Sequence, residues 1–430
     1  MNNTRTLTGT INTLLLLGCL LLACKDNGTE PPPIPERIKL AMIDVAVKEA
    51  YLHIEVSNPT SNETFSLQRD GVTVLIFPAV ADTTISDTAL TQTTTYQYTA
   101  RLSANNETTG TGNTISAQTL APTSHNFAWQ TFLLGDGNGS AFYDVALIND
   151  TLAYACGEIY LTGDPQAYNI AKWDGTSWVL MRIPFIGPCS AVDYPPLKAV
   201  WAISANQILV TNGGAVATYN GLTTTLDCRM NPVLAGAINR VYATSAQEIY
   251  AVGNNGTIVY YNGSTWQRVE SGTRTDILDA WGVLNPAAEK EEVYCAASSF
   301  FEPSAEKKIL RITDGTHVDS IAWINRLLTG VWTNVGYPIF TSGDGIFEGR
   351  SGEWREVPTG IYTNDIRGTG LNDIIAVGDF GFITHYNGIE WQQVGFDYEA
   401  GYATVRPKGD LVIAVGRKNA QGLITVGRRN

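Results

Sequence analysis

The sequence repeats itself, and this repetition limits the possible folds more than any other feature. Residues 238–269 and 364–394 each combine short strand-like stretches with tight turns, and both close on the marker Tyr-Asn-Gly-x-x-Trp. Weaker copies place a glycine at the same point of the unit, at positions 175, 221, 263, 315, 352 and 388. The resulting spacings of 36 to 52 residues are typical of four-stranded β-propeller blades, which average about 40 residues.

The number of copies predicts the number of blades. Seven first strands recur, beginning at residues 142, 198, 239, 278, 329, 364 and 403. The seventh copy ends at Asn430 after its third strand, while residues 129–132 match the fourth strands that begin at Trp266 and Trp391. We therefore predict an all-β chain with a seven-bladed propeller at residues 127–430, closed by an N-terminal strand that completes the last blade. Six and eight blades are the alternatives.

The N-terminal segment predicts export and a lipid anchor. The apolar run 14–22 is too short to span a bilayer, which takes about 20 residues, and has the length of a signal-peptide core. Its end, Leu21-Leu22-Ala23-Cys24, resembles the lipobox of bacterial lipoproteins. The resemblance implies a signal peptide at 1–23, acylation of Cys24 and a Pro-rich tether at 24–37, with an ordinary secretory signal as the alternative. We expect an exported outer-membrane lipoprotein, bound to the membrane by its lipid and either periplasmic or surface-exposed.

Residues 38–120 predict a small β-sandwich between the tether and the propeller. Stretches such as 51–56 and 95–102 alternate in polarity, as strands with one buried face do. The segment from Leu90 to Ala100 resembles the fibronectin type III pattern, in which a tyrosine, here Tyr96, follows a leucine by six residues and pins a loop to the sheet. The resemblance implies a spacer module.

Composition and motifs argue against several classes of protein. The net charge of −13, with only 28 Lys and Arg, argues against a nucleic-acid partner. The four histidines are scattered without metal-ligand spacing, and no nucleophile elbow or phosphate loop occurs. Residues 136–140 resemble the start of a calcium loop, but Leu147 stands where that loop needs an acidic residue. We expect no metal, no cofactor and no catalytic site.

The cysteines divide by their positions. Cys156 and Cys295 lie within apolar strand patterns and are predicted to be buried thiols. Cys189 and Cys228 lie in loops of successive repeats, where an exported protein can oxidise such a pair. Spacing does not fix the geometry of a disulfide, so bonded and free states both stay open for this second pair.

Two motifs resemble those of sialidase-type propellers. The Tyr-Asn-Gly-x-x-Trp marker resembles the Asp-box, which shapes a turn and packs between blades, and we interpret it as structural. Arg182-Ile183-Pro184 resembles a substrate-binding motif of sialidases, but it follows the first marker instead of preceding it, and we interpret it as chance. The propeller also resembles the WD/YVTN class and the photosystem II assembly-factor propellers, which carry an arginine patch. These resemblances imply a fold and no particular activity.

One position of the first strands carries mostly aromatic residues and arginines, which are candidates for ligand binding. Aligning the seven copies forms a column of Val145, Trp201, Tyr242, Trp281, Trp332, Arg367 and Arg406. First strands line the axis of a propeller, so a column facing the channel mouth would grip an anionic group or stack on a sugar or a peptide side chain. Alternatively, the column packs between neighbouring blades and its arginines pair with nearby acids.

These features favour a non-enzymatic binding or scaffolding lipoprotein, expected to be monomeric, whose propeller face binds a protein or a glycan. One alternative is a propeller-type glycan hydrolase or lyase, which would need two carboxylates converging near the axis. Another is an envelope-complex assembly factor, on which a client protein docks for a limited time.

Overall fold

The computed structural model describes residues 33–136, 139–286, 290–302, 304–350, 352–395 and 397–430. These residues form 36 β-strands and one 3₁₀ turn, Asn231–Val233. None of the described segments is a helix long and apolar enough to cross a membrane. The predicted signal peptide, Cys24 and most of the tether lie outside the described residues, so their assignment stays a prediction.

The first eight strands form one sheet that folds over its own core. They are β1 (Glu36–Val45), β2 (Ala50–Val56), β3 (Thr64–Arg69), β4 (Val72–Pro78), β5 (Asp82–Asp87), β6 (Thr95–Ala104), β7 (Glu107–Gly112) and β8 (Ile115–Gln118). The sheet runs in the order β4-β3-β6-β7-β1-β2-β5, and β8 pairs with β6. β1 and β7 pair in parallel and join the two halves. Leu52, Phe65 and Tyr98 are buried between them.

The remaining strands form seven four-stranded antiparallel sheets, which confirms the prediction of seven blades. Blade 1 contains β10 (Ala141–Asn149), β11 (Leu152–Ile159), β12 (Tyr168–Trp173) and β13 (Trp178–Met181). Blade 2 contains β14 (Ala199–Ser204), β15 (Gln207–Thr211), β16 (Val216–Tyr219) and β17 (Thr224–Asp227). Blade 3 contains β18 (Ile238–Ser245), β19 (Glu248–Gly253), β20 (Thr257–Tyr261) and β21 (Trp266–Arg268). Blade 4 contains β22 (Ile277–Asn285), β23 (Lys290–Ala297), β24 (Lys308–Thr313) and β25 (His317–Ile321).

The later blades repeat this pattern, and we call the four strands of each blade A to D in the order of the sheet. Blade 5 contains β26 (Leu328–Thr333), β27 (Ile339–Gly343), β28 (Ile346–Arg350) and β29 (Glu353–Val357). Blade 6 contains β30 (Thr363–Gly370), β31 (Asp373–Gly378), β32 (Ile383–Tyr386) and β33 (Trp391–Gly395). Blade 7 contains β34 (Ala400–Lys408), β35 (Leu411–Lys418), β36 (Gln421–Arg429) and, as its strand D, β9 (Phe127–Leu134).

The last blade is closed by the two ends of the propeller region, as predicted. Strand β9 pairs with β36 without a bulge from Gly422 opposite Leu134 to Arg429 opposite Phe127. Trp129 packs over Gly427, where a Cβ atom would lie 2.3 Å from the indole ring. Only glycine leaves this space, and the pairing removes the sheet edges that a linear array would expose.

The Tyr-Asn-Gly-x-x-Trp marker forms the turn between strands C and D. In blade 3, the side-chain oxygen of Asn262 accepts hydrogen bonds from the amides of Ser264 and Thr265, at 3.1 and 3.0 Å. Trp266 then packs against Tyr261, with ring centroids 5.1 Å apart. The marker residues therefore build the turn and the packing of the blade, as expected of structural residues.

The two ends of the ring carry different connections. Because neighbouring strands are antiparallel, the A–B and C–D connections lie at one end, and the B–C and D–A connections lie at the other. The N-terminal sheet packs against the first end, where Asn334 donates to Asp44 (2.8 Å) and Arg350 pairs with Glu49 (2.7 Å). We call the opposite end, built from the B–C and D–A connections, the open face.

Candidate functional site

Six of the seven residues in the predicted column occupy structurally equivalent positions in their blades. Trp201, Tyr242, Trp281, Trp332, Arg367 and Arg406 occupy equivalent points of their A strands. In blade 1, a β-bulge precedes Asp144, just as bulges precede Asp279 and Asp365 in blades 4 and 6. Counting from these aspartates, Ala146 and not Val145 holds the column position. The sequence alignment is therefore one residue out of register in blade 1, because the small Ala146 stands where the other blades have an aromatic residue or an arginine, and the alignment places Val145 beside it in the column instead.

The three aspartates that precede the column link each of their blades to the next one. Each carboxylate accepts a hydrogen bond from a backbone amide of the following A strand. The amides of Val200, Val331 and Val405 donate to Asp144, Asp279 and Asp365 at 3.1, 2.9 and 3.0 Å. Buried carboxylates are thus held between blades by groups of the main chain.

Three arginines complete a closed ring of alternating charge with these aspartates. Each arginine lies between two aspartates, and each aspartate lies between two arginines. The order is Asp144, Arg240, Asp279, Arg367, Asp365, Arg406 and back to Asp144, with N···O distances of 3.3, 3.5, 2.6, 2.9, 3.0 and 3.2 Å. We call these six residues the charge ring. Their formal charges sum to zero.

Two members of the charge ring, Arg240 and Asp365, are held in their charged forms although they are largely buried. The side chains of Asp365 and Arg367 are each 1% exposed. Burial disfavours the charged form of Arg240, but the three aspartates outweigh this effect and raise its pKa. Burial also acts to raise the pKa of Asp365, yet the three arginines overcome it and hold this pKa at about 2. At these two residues opposite charge at short range outweighs desolvation, whereas at Arg406 burial prevails and lowers the pKa.

The two arginines that we predicted as ligand-binding candidates are members of the charge ring. Both guanidinium groups of Arg367 and Arg406 are surrounded by carboxylates and main-chain carbonyls. Arg367 also lies over the ring of Trp281, 5.1 Å from its centroid. Neither arginine has a free face directed to solvent that could hold an anion.

The aromatic members of the column pack between blades. The indole N–H groups of Trp201 and Trp281 donate to carbonyls of the following blade, at 2.8 and 3.0 Å. Trp332 and Tyr242 are buried. The geometry therefore favours the second of our two interpretations, in which the column packs between blades and its arginines pair with acids.

The convergent aspartates do not make a hydrolase site. Three carboxylates do lie near the axis, as a propeller-type hydrolase would require, but a general acid or base must reach its substrate and exchange a proton. These carboxylates are buried and ion-paired. Arg182 of the sialidase-like motif pairs with Asp164 (2.5 Å) and stacks on Tyr168 (3.9 Å). Within the described ranges, no three His, Cys, Asp or Glu side chains are placed to hold a metal ion.

The cysteines of the propeller have two environments. Cys189 and Cys228 form a disulfide with a Cα–Cα distance of 5.6 Å. It joins the connection between blades 1 and 2 to the connection between blades 2 and 3 on the open face. Cys156 and Cys295 are buried, and burial raises the pKa of both thiols.

A row of aromatic side chains on the open face was not predicted from the sequence. Its members are Phe300, Phe301, Tyr362, Phe380 and Tyr398, which we call the aromatic arc. The rings of Phe300 and Tyr362 lie 6.4 Å apart, and those of Phe380 and Tyr398 lie 6.5 Å apart. The amide of Asp379 donates to the Tyr362 carbonyl (3.4 Å) and joins the two pairs. The arc therefore runs from blade 4 to the start of blade 7.

The aromatic arc concentrates exposed apolar surface in one place. Phe301 is 91% exposed, and Tyr398 is 79% exposed. Among the residues that the structure describes, the aromatic side chains with about half or more of their surface exposed are Phe300, Phe301, Phe380 and Tyr398, and all four belong to the arc. Contiguous exposed apolar patches on a folded protein mark sites of interaction.

Phe380 breaks a local conformational rule. It has φ = 56° in the turn between strands B and C of blade 6, and Gly381 follows it with φ = 61°. The corresponding turn of blade 3 places Asn255 (φ = 56°) and Gly256 in the same conformation. Asparagine tolerates left-handed backbone, whereas for most residues it costs about 1–2 kcal/mol. A phenylalanine held there with half of its surface in water is therefore a candidate recognition residue.

Two sequence signals mark the aromatic arc in retrospect. The longest repeat spacing, 52 residues, results from the insertion that carries Phe300 and Phe301. The turn Asp379-Phe380-Gly381 replaces the usual polar turn residue by an aromatic one. Neither signal shows which loops meet on one face, because that requires the order of the blades around the ring.

Comparisons with known proteins identify the fold of the propeller. No family model matches the chain, and no curated protein matches its sequence. The chain is similar in structure to YCF48 bound to D1 peptide, with a TM-score of 0.53 and 14% identity over 72% of this chain and 97% of that one. It is also similar to YCF48 from Cyanidioschyzon merolae, with a TM-score of 0.51 and 11% identity over 70% and 98% of the two chains. At this identity the likeness establishes a shared fold.

Removing one member of the charge ring should cause a large loss of unfolding free energy. Replacing Arg367 by Met leaves two buried aspartates with one arginine each, and breaking a buried pair in this way costs about 3–5 kcal/mol. Urea unfolding should show this loss of unfolding free energy. Lys290→Met is the control, because it removes a cation from an exposed pair with Asp314 (2.8 Å) and should cost about 1 kcal/mol or less. Equal costs for the two variants would contradict the assigned role of the ring.

Proposed function

We propose that the protein is a non-enzymatic scaffold whose aromatic arc holds a segment of a client protein during the assembly of an envelope complex. The observation that carries this proposal is the arc itself, an exposed aromatic row on the end of the ring that the N-terminal sheet leaves uncovered. Aromatic side chains are the residues that dominate protein interfaces. The propeller of similar fold, YCF48, is bound to a peptide of D1, and this supports a protein segment as the ligand.

The interior of the propeller is also consistent with a scaffolding role. Propeller enzymes place their reacting groups in the axial channel, but here the channel holds the charge ring. Its carboxylates and guanidinium groups bind one another at 2.6 to 3.5 Å. Recognition is therefore left to the loops, which vary between blades without disturbing the ring.

We propose further that the N-terminal region is a spacer of the fibronectin type III kind. Its strand order divides into β4-β3-β6-β7 and β1-β2-β5. The hydroxyl of Tyr96 accepts a hydrogen bond from the amide of Thr91, five residues upstream, at 2.9 Å. This bond resembles the tyrosine corner of such sandwiches. The module would hold the propeller away from a membrane to which Cys24 is anchored by lipid.

The lipid anchor is tested by replacing the cysteine. Cys24→Ser removes the acylated thiol, so the protein should move from the membrane fraction to the soluble fraction of lysed cells. Cys19→Ser, within the predicted signal peptide, is the matched control and should leave the protein in the membrane fraction. Membrane retention of the Cys24→Ser variant would contradict the anchor.

The binding role is tested by photocrosslinking in intact cells. A benzophenone amino acid at Phe301 or Tyr398 should give an adduct with the same envelope protein, because both positions lie on the arc. Leu222 is the control position, since it is 90% exposed but lies in a C–D turn at the other end of the ring. An adduct at Leu222 as abundant as those at the arc, or no adduct at the arc, would contradict the proposal.

A further inference from the structure

We infer that the client segment on the aromatic arc is cationic, with arginine or lysine side chains alternating with apolar ones. The inference rests on the proposed function and names the chemistry of its partner. It follows from the charges that surround the arc, which are independent of the aromatic residues themselves.

Carboxylates outnumber cations beside Tyr362, Phe380 and Tyr398, which form the second half of the arc. The acidic residues of the neighbouring B–C and D–A connections are Asp344, Asp379, Asp397 and Glu399. Two cations face them. Lys418 pairs with Asp397 (2.7 Å) and Glu399 (3.4 Å), and Arg326 lies 3.8 Å from Asp344. The surplus is two negative charges.

Asp379 is the carboxylate most available to a ligand. It is exposed and immediately precedes Phe380 in the turn. Asn364 donates to it (3.1 Å), and no cation pairs with it within the described part of the chain. Burial raises the pKa of the Tyr362 phenol, and the negative charges of Asp344 and Asp379 raise it further. Both acids therefore act on the middle of the arc.

Acidic side chains also line the other end of the arc. Phe301 borders a cleft of about 840 Å³ between the loops of blades 3 and 4. Its charged lining residues are Arg268, Arg274, Glu270, Asp276, Glu302 and Glu306. Arg268 pairs with Glu270 (3.3 Å), and a third cation, Lys308, pairs with Glu306 (2.9 Å). Four carboxylates therefore face at least three cations, and the excess of acid at this end is small.

Aromatic faces beside carboxylates form a surface that favours organic cations. The face of an aromatic ring attracts a guanidinium or ammonium group, and the carboxylates supply charge-assisted hydrogen bonds to its N–H groups. The apolar spacing residues of the segment would cover the remaining ring surface. An anionic segment would instead face more acids than cations, because the arginines of the axis are bound within the charge ring. The net charge of −13 also steers cations toward the whole chain.

The inference is tested with three labelled ten-residue probe peptides on the full protein. Leucine alternates with arginine in the first, with serine in the second and with glutamate in the third. Fluorescence anisotropy should show the arginine peptide binding at least tenfold more tightly than the serine peptide, with affinity falling as salt rises. Phe301→Ser and Tyr398→Ser should weaken this binding by tenfold or more, and Asp379→Asn should weaken it by about threefold, as expected for one surface charge pair. Leu222→Ser should leave it unchanged.

The outcomes separate this inference from the proposed function. If the glutamate or serine peptide binds the arc as tightly as the arginine peptide, the inference is wrong while the scaffold function stands. Binding of the arginine peptide that is unaffected by Phe301→Ser and Tyr398→Ser also overturns it, because such binding reflects net charge alone. If no peptide binds and crosslinking at the arc finds no partner, both proposals fail.

Discussion

The packing of all seven blades depends on six charged side chains at the centre of the propeller. The charge ring places three carboxylates and three guanidinium groups where water hardly reaches, and their mutual contacts, together with hydrogen bonds to the main chain, offset the cost of burying them. Its members come from blades 1, 3, 4, 6 and 7, so the contacts form only when the propeller has closed. The same carboxylates accept amide hydrogen bonds from blades 2 and 5. All seven blades therefore depend on one network.

This use of the axis determines where the protein can bind a partner. A propeller with free polar groups in its channel can bind a small ligand there, but here those groups are engaged with one another. The end that carries the A–B and C–D connections is used in part by the N-terminal sheet, through contacts such as that of Arg350 with Glu49. The open face is left for the proposed recognition, and the exposed aromatic side chains among the described residues of the propeller are found there. Stability and binding are thus assigned to different residues of the same blades.

The sequence was informative wherever a pattern repeats and less so where one blade differs from the others. Repeat spacing and the match of Trp129 to later fourth strands were sufficient to predict seven blades and their closure. The register of blade 1 was wrong by one residue at Val145, because the column position of this blade holds the small Ala146 in place of an aromatic residue or an arginine. Arg240 was not among the predicted site residues, since it occupies the position at which other blades have aspartate, and its role depends on partners in two other blades.

The aromatic arc could not be predicted for a similar reason. Phe301 and Tyr398 are almost a hundred residues apart in sequence, in loops that repeat analysis treats as insertions or turns. Their neighbourhood arises only from the circular order of the blades. The local signs are the 52-residue repeat spacing and the turn at Phe380, whose left-handed backbone stands out when it is compared with the turn at Asn255.

The most direct test of this account is hydrogen exchange of the protein with and without the client segment found by crosslinking, prepared as a peptide. The account predicts slower exchange in the loops of the arc, around residues 299–302 and 379–381, when the peptide is bound. Exchange of the A-strand amides that donate to the charge ring, such as those of Val331 and Val405, should be slow in both states and unchanged by the peptide. Protection that appears instead along the A strands around Arg367 and Arg406, with none in the loops, would place the ligand in the channel and contradict the account.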